Sequence, residues 1–171
     1  GRRLTLYAHI VTILKGSEKN LRNCLDDRID ISGFVLEPLA SAHAVLNNQE
    51  KELGTVLVDI GGGTTDLIIY KNDGVQLTRA IPKAGNNITK AIAIYIQQEF
   101  GESLENKEIE ILKHDYGSAK KECIDQSKTI ILNIDNREIT INEYELANVI
   151  QLEMLDIFQE VKEKINESDI N

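Results

Sequence analysis

The sequence is poor in cysteine, in basic side chains and in long apolar runs, and each shortage excludes a class of protein. Its 171 residues include two cysteines, Cys24 and Cys123, whose wide spacing is not that of a metal site, so we expect reduced cytosolic thiols. The 19 Lys and Arg against 28 Asp and Glu give a net charge of −9, which argues against a nucleic-acid partner. No apolar run approaches the ~20 residues of a membrane-spanning helix, and no signal peptide is visible. Because the first residue is not methionine, we expect a processed chain or an excerpt.

What the sequence does contain is a glycine-rich turn between two apolar runs. Residues 56–70 read VLVDIGGGTTDLIIY, which predicts two short strands joined by a turn without side chains in its middle. Such a bare turn lets an anion approach backbone N–H groups, while the threonine hydroxyls add donors. The carboxylates of Asp59 and Asp66 could hold a hydrated magnesium ion beside a phosphate. The predicted clamp comprises Asp59, Gly61, Gly62, Gly63, Thr64, Thr65 and Asp66.

The order of elements excludes two common phosphate loops. The Walker loop needs a lysine and then a helix after its glycines, and the dinucleotide fingerprint also needs a helix. Residues 67–70 are instead β-branched and aromatic, which favours a strand. The remaining alternative is an ordinary hairpin whose glycines only supply left-handed turn angles.

The same segment, VDIGGGTTDL, resembles the second phosphate motif of the actin, Hsp70 and sugar-kinase ATPase superfamily. Three further stretches narrow the resemblance to the bacterial actin-like cell-division proteins of the FtsA family: residues 36–42 (LEPLASA), 50–54 (EKELG) and 112–119 (LKHDYGSA). The resemblance covers nearly the whole chain and is strongest from Phe34 to Ala93. It implies an α/β, actin-like ATPase (ribonuclease H-like) fold, of which this chain would hold part.

The resemblance also implies how the chain is divided. Residues 1–53 would be the end of the first lobe, with a 1C strand and 1A-type elements, and residues 54–83 the first half of subdomain 2A with the clamp hairpin. Residues 84–165 would be the helical subdomain 2B, and residues 166–171 a polar exit segment.

Local patterns predict the individual elements. Periodicity and turn signals favour helices, the second of which has Pro38 in its first turn and Gly54 at its end. The predicted helices are 17–27, with Ser17 as its cap, 39–53, 86–100, capped by Asn86 and Asn87, 107–114 and 142–165. Besides the clamp hairpin, the predicted strands are 4–13, 31–36, 75–81, 129–134 and 138–141.

Carried over position by position, the resemblance assigns chemical roles. Asp59 matches the acid that holds Mg²⁺ through water, and Glu37 matches the residue that orients the attacking water in hydrolysis. Gly85 matches the glycine of a second nucleotide-side turn, while Glu110 and Lys113 match a pair that contacts ribose and adenine. On spacing alone, that pair would be a simple i,i+3 surface ion pair. The β- and γ-phosphate contacts implied by the resemblance are Gly61, Gly62, Gly63, Thr64 and Thr65.

Four positions depart from the family pattern. Ala84 stands where a glycine is usual, and it adds a Cβ where backbone approach is close. Ala91 replaces an aspartate expected near the start of the following helix, which removes a charge that could tether subdomains. Leu152 and Glu153 stand where Pro-Arg is common, and Glu153 would repel an acidic peptide that pairs with that arginine.

The function that the resemblance implies is that of a cell-division adaptor that binds ATP and Mg²⁺. Such a protein polymerises with itself and links the ring of the tubulin-like protein FtsZ to the inner face of the cell membrane at the division site. It does so through a membrane-binding tail that is absent from this sequence. Hydrolysis in the family is weak or absent, so enzyme activity stays undecided. The expected docking site for the FtsZ C-terminal peptide comprises Lys120, Lys121, Lys128 and Arg137.

Two other functions stay open on the sequence alone. One is another actin-like filament or pilus-assembly ATPase with the same clamp. The stretches EKELG and EPLASA favour a cell-division protein over this alternative. The other is a superfamily phosphotransferase, which needs a substrate-side catalytic acid from the lobe that is absent here, or an Hsp70-like chaperone, which needs a substrate-binding domain.

Overall fold

The computed structural model describes residues 3–4, 8–25, 28–134 and 137–167, which form a mixed α/β structure. It divides into two units: unit 1 is Gly1–Asp59 with Asp66–Arg79, and unit 2 is Ile60–Thr65 with Ala80–Asn171. The helices are α1 (Lys15–Asn23), α2 (Glu37–Val45), α3 (Asn48–Leu53), α4 (Gly85–Phe100), α5 (Asn106–Tyr116) and α6 (Glu143–Asn166). The strands are β1 (Thr55–Ile60), β2 (Thr65–Lys71), β3 (Gly74–Ile81), β4 (Thr129–Ile134) and β5 (Arg137–Asn142).

The clamp hairpin and the third strand form a sheet in the order β1-β2-β3, which confirms the three predicted strands. The turn between β2 and β3 consists of Asn72 and Asp73, whose φ angles of 53° and 58° are those of a tight hairpin turn. Their N–H groups donate to the carbonyl oxygens of Glu52 and Lys51, at 3.0 and 3.1 Å. The last turn of α3 therefore holds this hairpin, which gives the EKELG stretch a structural role.

The helix predicted over 39–53 is wrong in one respect, because it is two helices. Asn47 begins the second one: its side chain accepts from the Glu50 N–H at 2.9 Å, and the Glu50 carboxylate accepts from the Asn47 N–H at 2.8 Å. This reciprocal cap is more favourable for asparagine than a place inside a helix. Leu46 is accordingly extended, with ψ of 133°, while Gly54 ends α3 as predicted, with φ of 109°.

The two strands predicted before the hairpin are wrong for the residues that the structure describes. Residues 8–13 and 31–36 lie outside regular structure, and residues 5–7 of the first segment lie outside the described residues. A strand needs a neighbour to receive its backbone hydrogen bonds, and no described strand pairs with either segment. Their apolar side chains are correspondingly exposed, for example Ile10 at 81% and Val35 at 68%.

The first helix is confirmed with different ends. It begins at Lys15, two residues before the predicted cap, and no side chain caps it. It ends at Asn23, and the predicted end at Asp27 lies outside the described residues.

Unit 2 contains the remaining helices and the β4–β5 hairpin, as predicted. The hairpin is antiparallel, with a register from Thr129 opposite Asn142 to Ile134 opposite Arg137. Asn142 also caps α6, since its side chain accepts from the Tyr144 N–H at 2.8 Å. The buried core of this unit comprises Ile88, Ile92, Ile96, Ile109, Leu112, Ile130, Ile139, Ile141, Leu146 and Ile150. In the described ranges, no helix is long and apolar enough to cross a membrane.

Candidate functional site

The predicted clamp is a closed turn fixed to the start of α4. We define the glycine turn as Gly61–Thr64; it closes because the Gly61 N–H donates to the Thr64 carbonyl oxygen at 2.9 Å. The Gly85 N–H donates to the Gly61 oxygen at 3.0 Å, and the Asn86 N–H to the Gly62 oxygen at 2.7 Å. The first N–H groups of a helix have no acceptor within it, so these bonds satisfy both elements at once. The glycine turn is therefore held rigidly against α4.

The glycines of this turn are not there for left-handed backbone angles. Among the described glycines only Gly54 and Gly101 have positive φ, so the ordinary-hairpin alternative is wrong. A Cβ on Gly61 would lie 3.2 Å from the Thr64 oxygen, and one on Gly62 would lie 3.5 Å from the Asn86 side chain. A Cβ on Gly63 would meet no atom within 4 Å. Within the described residues, neither backbone angle nor close packing therefore explains the missing side chain of Gly63.

The glycine turn also presents exposed backbone donors. Gly62 and Gly63 are exposed, and within the described part of the chain neither N–H group donates a backbone hydrogen bond. Successive N–H groups of this kind form concave sites that bind anions. The open face at Gly63 and these donors together suit a phosphate.

A lysine lies beside the start of α4. Lys113 of α5 donates through Nζ to the Thr89 hydroxyl at 2.8 Å, to Glu110 at 2.9 Å and to the Gly85 carbonyl oxygen at 3.3 Å. The Thr89 hydroxyl donates to Glu110 at 2.5 Å. Hydrogen bonds from Lys113 and then Thr89 lower the pKa of Glu110. The i,i+3 pair that the spacing predicts is thus present, and it also ties α5 to the beginning of α4.

Thr65, which follows the glycine turn, connects it to the segment before α4. Thr65 is fully buried, and its hydroxyl donates to the Lys83 carbonyl oxygen at 2.7 Å. The Lys83 ammonium in turn donates to Asp156 at 2.5 Å and Glu160 at 3.0 Å, both on α6. These two hydrogen bonds, Asp156 first, raise the pKa of Lys83. The structure thus shows a bracing contact for Thr65, and its role as a phosphate contact stays a prediction.

In unit 1, the structure brings one predicted acid against α2. Asp59 is half-buried on β1, and its Oδ2 accepts a hydrogen bond from the Ser41 hydroxyl at 2.6 Å. Glu37 is the exposed first residue of α2, four positions before Ser41 and therefore on the same helical face. Of the other predicted residues, Thr64 is exposed and Asp66 is half-buried on β2.

These side chains fit a magnesium ion held through water. Magnesium keeps several waters and is usually bound by one or two carboxylates together with substrate phosphates. Asp59 offers such a carboxylate, two residues before the glycine turn in sequence. In the described ranges, no group of three His, Cys, Asp or Glu side chains could form a cage for a metal. Magnesium binding by Asp59 stays a prediction.

The Ala84 departure is accommodated without strain. Its side chain is fully buried, and its φ of −168° is extended backbone that any residue adopts. The Asn87 side chain accepts from the Ala84 N–H at 3.2 Å, so α4 begins at Gly85 rather than at the predicted Asn86.

Two of the four predicted peptide-docking residues already have partners in the chain. Lys121 donates through Nζ to the Asn148 side chain at 2.6 Å, and Arg137 pairs with Glu102 at 3.1 Å. Lys120 and Lys128 are exposed. The docking role stays a prediction for all four.

Comparison with known proteins identifies the family. The family model described as "Cell division protein FtsA" matches residues 56–167. The chain belongs to the FtsA family. It is 32% identical over 173 aligned positions to the cell division protein FtsA of Bacillus subtilis, and this match covers 99% of the chain but 38% of that relative. It is 41% identical to the FtsA of Pseudomonas aeruginosa over 98 positions, which are 57% of the chain and 24% of that relative.

A solved structure of similar fold is MreB5 of Spiroplasma citri bound to ADP. It has a TM-score of 0.71 and 26% identity, and the match covers 90% of this chain and 48% of MreB5. The chain therefore has the actin-like α/β fold that the FtsA resemblance implied, and its family is one of actin-like cell-division proteins. It spans well under half the length of these FtsA relatives.

Three residues of the site were not found from the sequence. Ser41, Thr89 and Lys83 each contact a predicted site residue that lies at least 18 positions away in the chain. Two of them carried a local signal, because Ser41 lies one helical turn after Glu37 and Thr89 lies one helical turn after Gly85.

Proposed function

We propose that this chain carries the phosphate-binding part of an ATP·Mg²⁺ site in an actin-like cell-division protein. The observation that carries the proposal is Gly63, whose bare Cα faces open space although its backbone angles do not require glycine. A ligand that approaches the main chain closely explains such a glycine. The ADP bound to the similar MreB5 supports a nucleotide as that ligand.

Each site residue has a role in this proposal. The N–H groups of Gly62 and Gly63 would hold phosphate oxygens, with Thr64 beside them, and the positive end of α4 would favour the anion. Asp59 would hold Mg²⁺ through water. The metal, when bound, neutralises charge on the terminal phosphates.

The remaining predicted roles are part of the same proposal. Glu110 and Lys113 would contact the ribose and adenine, and the hydrogen bonds of both side chains with the Thr89 hydroxyl support this role because they restrict both side chains. Glu37, exposed on the same face of α2 as Ser41, would orient a water for slow hydrolysis. Asp66 would add a second carboxylate beside Asp59 for the hydrated magnesium ion.

At the level of the cell, we propose the adaptor function of the family. ATP would favour an assembly-competent form that polymerises with itself, which is a population shift. The helical part of the chain, residues 84–165, would receive the C-terminal peptide of FtsZ. Contact with the membrane at the division site would come from a segment outside this sequence.

The experiment that tests ATP binding compares two acids by calorimetric titration of the intact protein with ATP·Mg²⁺. Asp59→Asn removes the carboxylate charge that would hold the magnesium waters, and Asp30→Asn removes the same charge from an exposed loop residue. We expect saturable wild-type binding, a loss of tenfold or more for Asp59→Asn, and no change for Asp30→Asn. Absence of binding to folded wild-type protein, or equal affinities for all three, would contradict the proposal.

A second experiment tests the partner. We expect the double variant Lys120→Glu/Lys128→Glu to bind the FtsZ C-terminal peptide more weakly, because the peptide is acidic and both lysines are exposed. Lys15→Glu/Lys19→Glu on α1 makes the same charge change in unit 1 and serves as the control. Equal loss in both double variants would indicate only a general charge effect.

A further inference from the structure

The contact between Ser41 and Asp59 carries an inference beyond the family's binding residues. The Ser41 hydroxyl donates to Oδ2 of Asp59 at 2.6 Å, at the short end for an O–H···O hydrogen bond. A bond to an ionised acceptor is shorter and stronger than one between neutral groups. Both residues are half-buried in unit 1, so water competes with this bond less than at an open surface.

Ser41 is held on a well-packed part of α2. The next residue, Ala42, is fully buried and forms a cluster with Ile68 and Tyr70 of β2, while Pro38 in the first turn is also buried. The donor is therefore fixed by the packing of the helix and not by a mobile loop. A site residue supported in this way keeps its geometry when the ligand arrives.

We propose that Ser41 is a positioning residue that orients the Asp59 carboxylate toward magnesium. The inference rests on the proposed ATP·Mg²⁺ function. Rotation about the terminal bond of an aspartate is soft, so an isolated carboxylate samples many orientations. The bond from Ser41 holds Oδ2 and leaves Oδ1 to accept from waters of the metal. Partners of this kind around a metal ligand typically change metal affinity by about 10–100-fold.

The same helix face links the metal residue to the predicted hydrolytic residue. Glu37 and Ser41 are four residues apart on α2 and project from one side of it. A single helix thus holds Asp59 through Ser41 and presents Glu37 one turn earlier. The hydrogen bond from Ser41 thus ties the Asp59 carboxylate of β1 to the helix that carries Glu37.

The test measures how Mg²⁺ changes ATP affinity in the intact protein. ATP is titrated with excess Mg²⁺ and again with a chelator, for wild type, Ser41→Ala, Ser41→Thr and the control Ser103→Ala. The control removes a hydroxyl that donates to Gln97 at 2.5 Å, in unit 2. We expect Ser41→Ala to reduce the gain in affinity from Mg²⁺ by about tenfold and to leave metal-free binding unchanged. Ser41→Thr, which keeps the hydroxyl, restores most of the gain, and Ser103→Ala matches wild type.

A coupling measurement distinguishes positioning from a general effect on folding. If Ser41 acts through Asp59, Ser41→Ala has no further effect on the Mg²⁺ dependence of an Asp59→Asn variant. Three results would overturn the role of Ser41 without affecting the proposed function. In Ser41→Ala, Mg²⁺ could raise ATP affinity as much as in wild type, or metal-free ATP binding could weaken as much as binding with Mg²⁺. The third result is that the effects of Ser41→Ala and Asp59→Asn add. A wild-type protein that binds no nucleotide would overturn the proposed function as well, so the two failures are distinct.

Discussion

Replacing Gly85 by alanine tests whether the glycine turn and α4 form one packed body. A Cβ at this position would lie 3.2 Å from the Gly61 carbonyl oxygen and 3.8 Å from the Lys113 ammonium. The lysine end can move, but the oxygen belongs to a backbone whose own N–H is bonded to Thr64 at 2.9 Å. The extra methyl group therefore pushes α4 away from the turn.

The magnitude follows from two opposing effects. A Gly-to-Ala change that causes no strain stabilises a protein by about 0.4–1 kcal/mol, because it reduces the freedom of the unfolded chain. Overpacking against a backbone that cannot retreat costs about 1–3 kcal/mol. The Gly85–Gly61 and Asn86–Gly62 hydrogen bonds also weaken, at about 1 kcal/mol each if lost. We therefore expect Gly85→Ala to lower the free energy of unfolding by about 1–2 kcal/mol.

The assay compares Gly85→Ala with Gly63→Ala by thermal unfolding and by hydrogen exchange of the Asn86 amide. Gly63→Ala meets open space and does not lose a positive φ, so we expect it to be as stable as wild type or slightly more stable. Exchange at Asn86 should accelerate only in Gly85→Ala, since its amide bonds to the Gly62 oxygen. Equal stability of Gly85→Ala and Gly63→Ala would contradict the close packing of α4 against the glycine turn.

Three further predictions concern the supporting contacts. Asn47→Ala removes the cap of α3 and should cost about 1 kcal/mol in urea unfolding, whereas Asn48→Ala should cost less. Because the folded pKa of Glu110 is lowered, its pairing stabilises the protein above the ordinary glutamate pKa of 4.5 and is lost as pH falls through the folded value. The melting temperature of Glu110→Gln should thus fall less steeply than that of wild type as pH drops below 4.5. An equally steep fall in both proteins would contradict this. Lys83→Gln should lower the melting temperature in dilute buffer, with a smaller effect in 1 M salt, since salt screens its two carboxylate pairs.

The parts of the fold that the sequence predicted correctly are those with strong local patterns. The hairpin over 55–71, α4 and α6 combine apolar periodicity with turn or cap residues, and the structure confirms all three. The apolar runs 8–13 and 31–36 looked equally strand-like. A strand also depends on a partner elsewhere in the protein, and a local pattern does not contain that information.

The candidate site shows the same division between local and long-range information. The three glycines predict the turn from the sequence. Their φ angles and the open space at Gly63 could be known only from the structure. The bonds of Ser41 to Asp59 and of Lys83 to Asp156 join residues 18 and 73 positions apart. No spacing rule predicts such pairs, because they arise only once separate elements pack together. The split of the second helix is different, since Asn47 and Glu50 form a local capping signal.

The most direct test of phosphate binding at the glycine turn is the affinity of the intact Gly63→Ala protein for ATP·Mg²⁺. Gly16→Ala, at another glycine with no atom within 4 Å of the added Cβ, is the matched control. We expect Gly63→Ala to lose tenfold or more in affinity, about 1.4 kcal/mol, with an unchanged or higher melting temperature, and Gly16→Ala to bind like wild type. Wild-type affinity in Gly63→Ala would mean that the bare backbone of the glycine turn is not where phosphate binds.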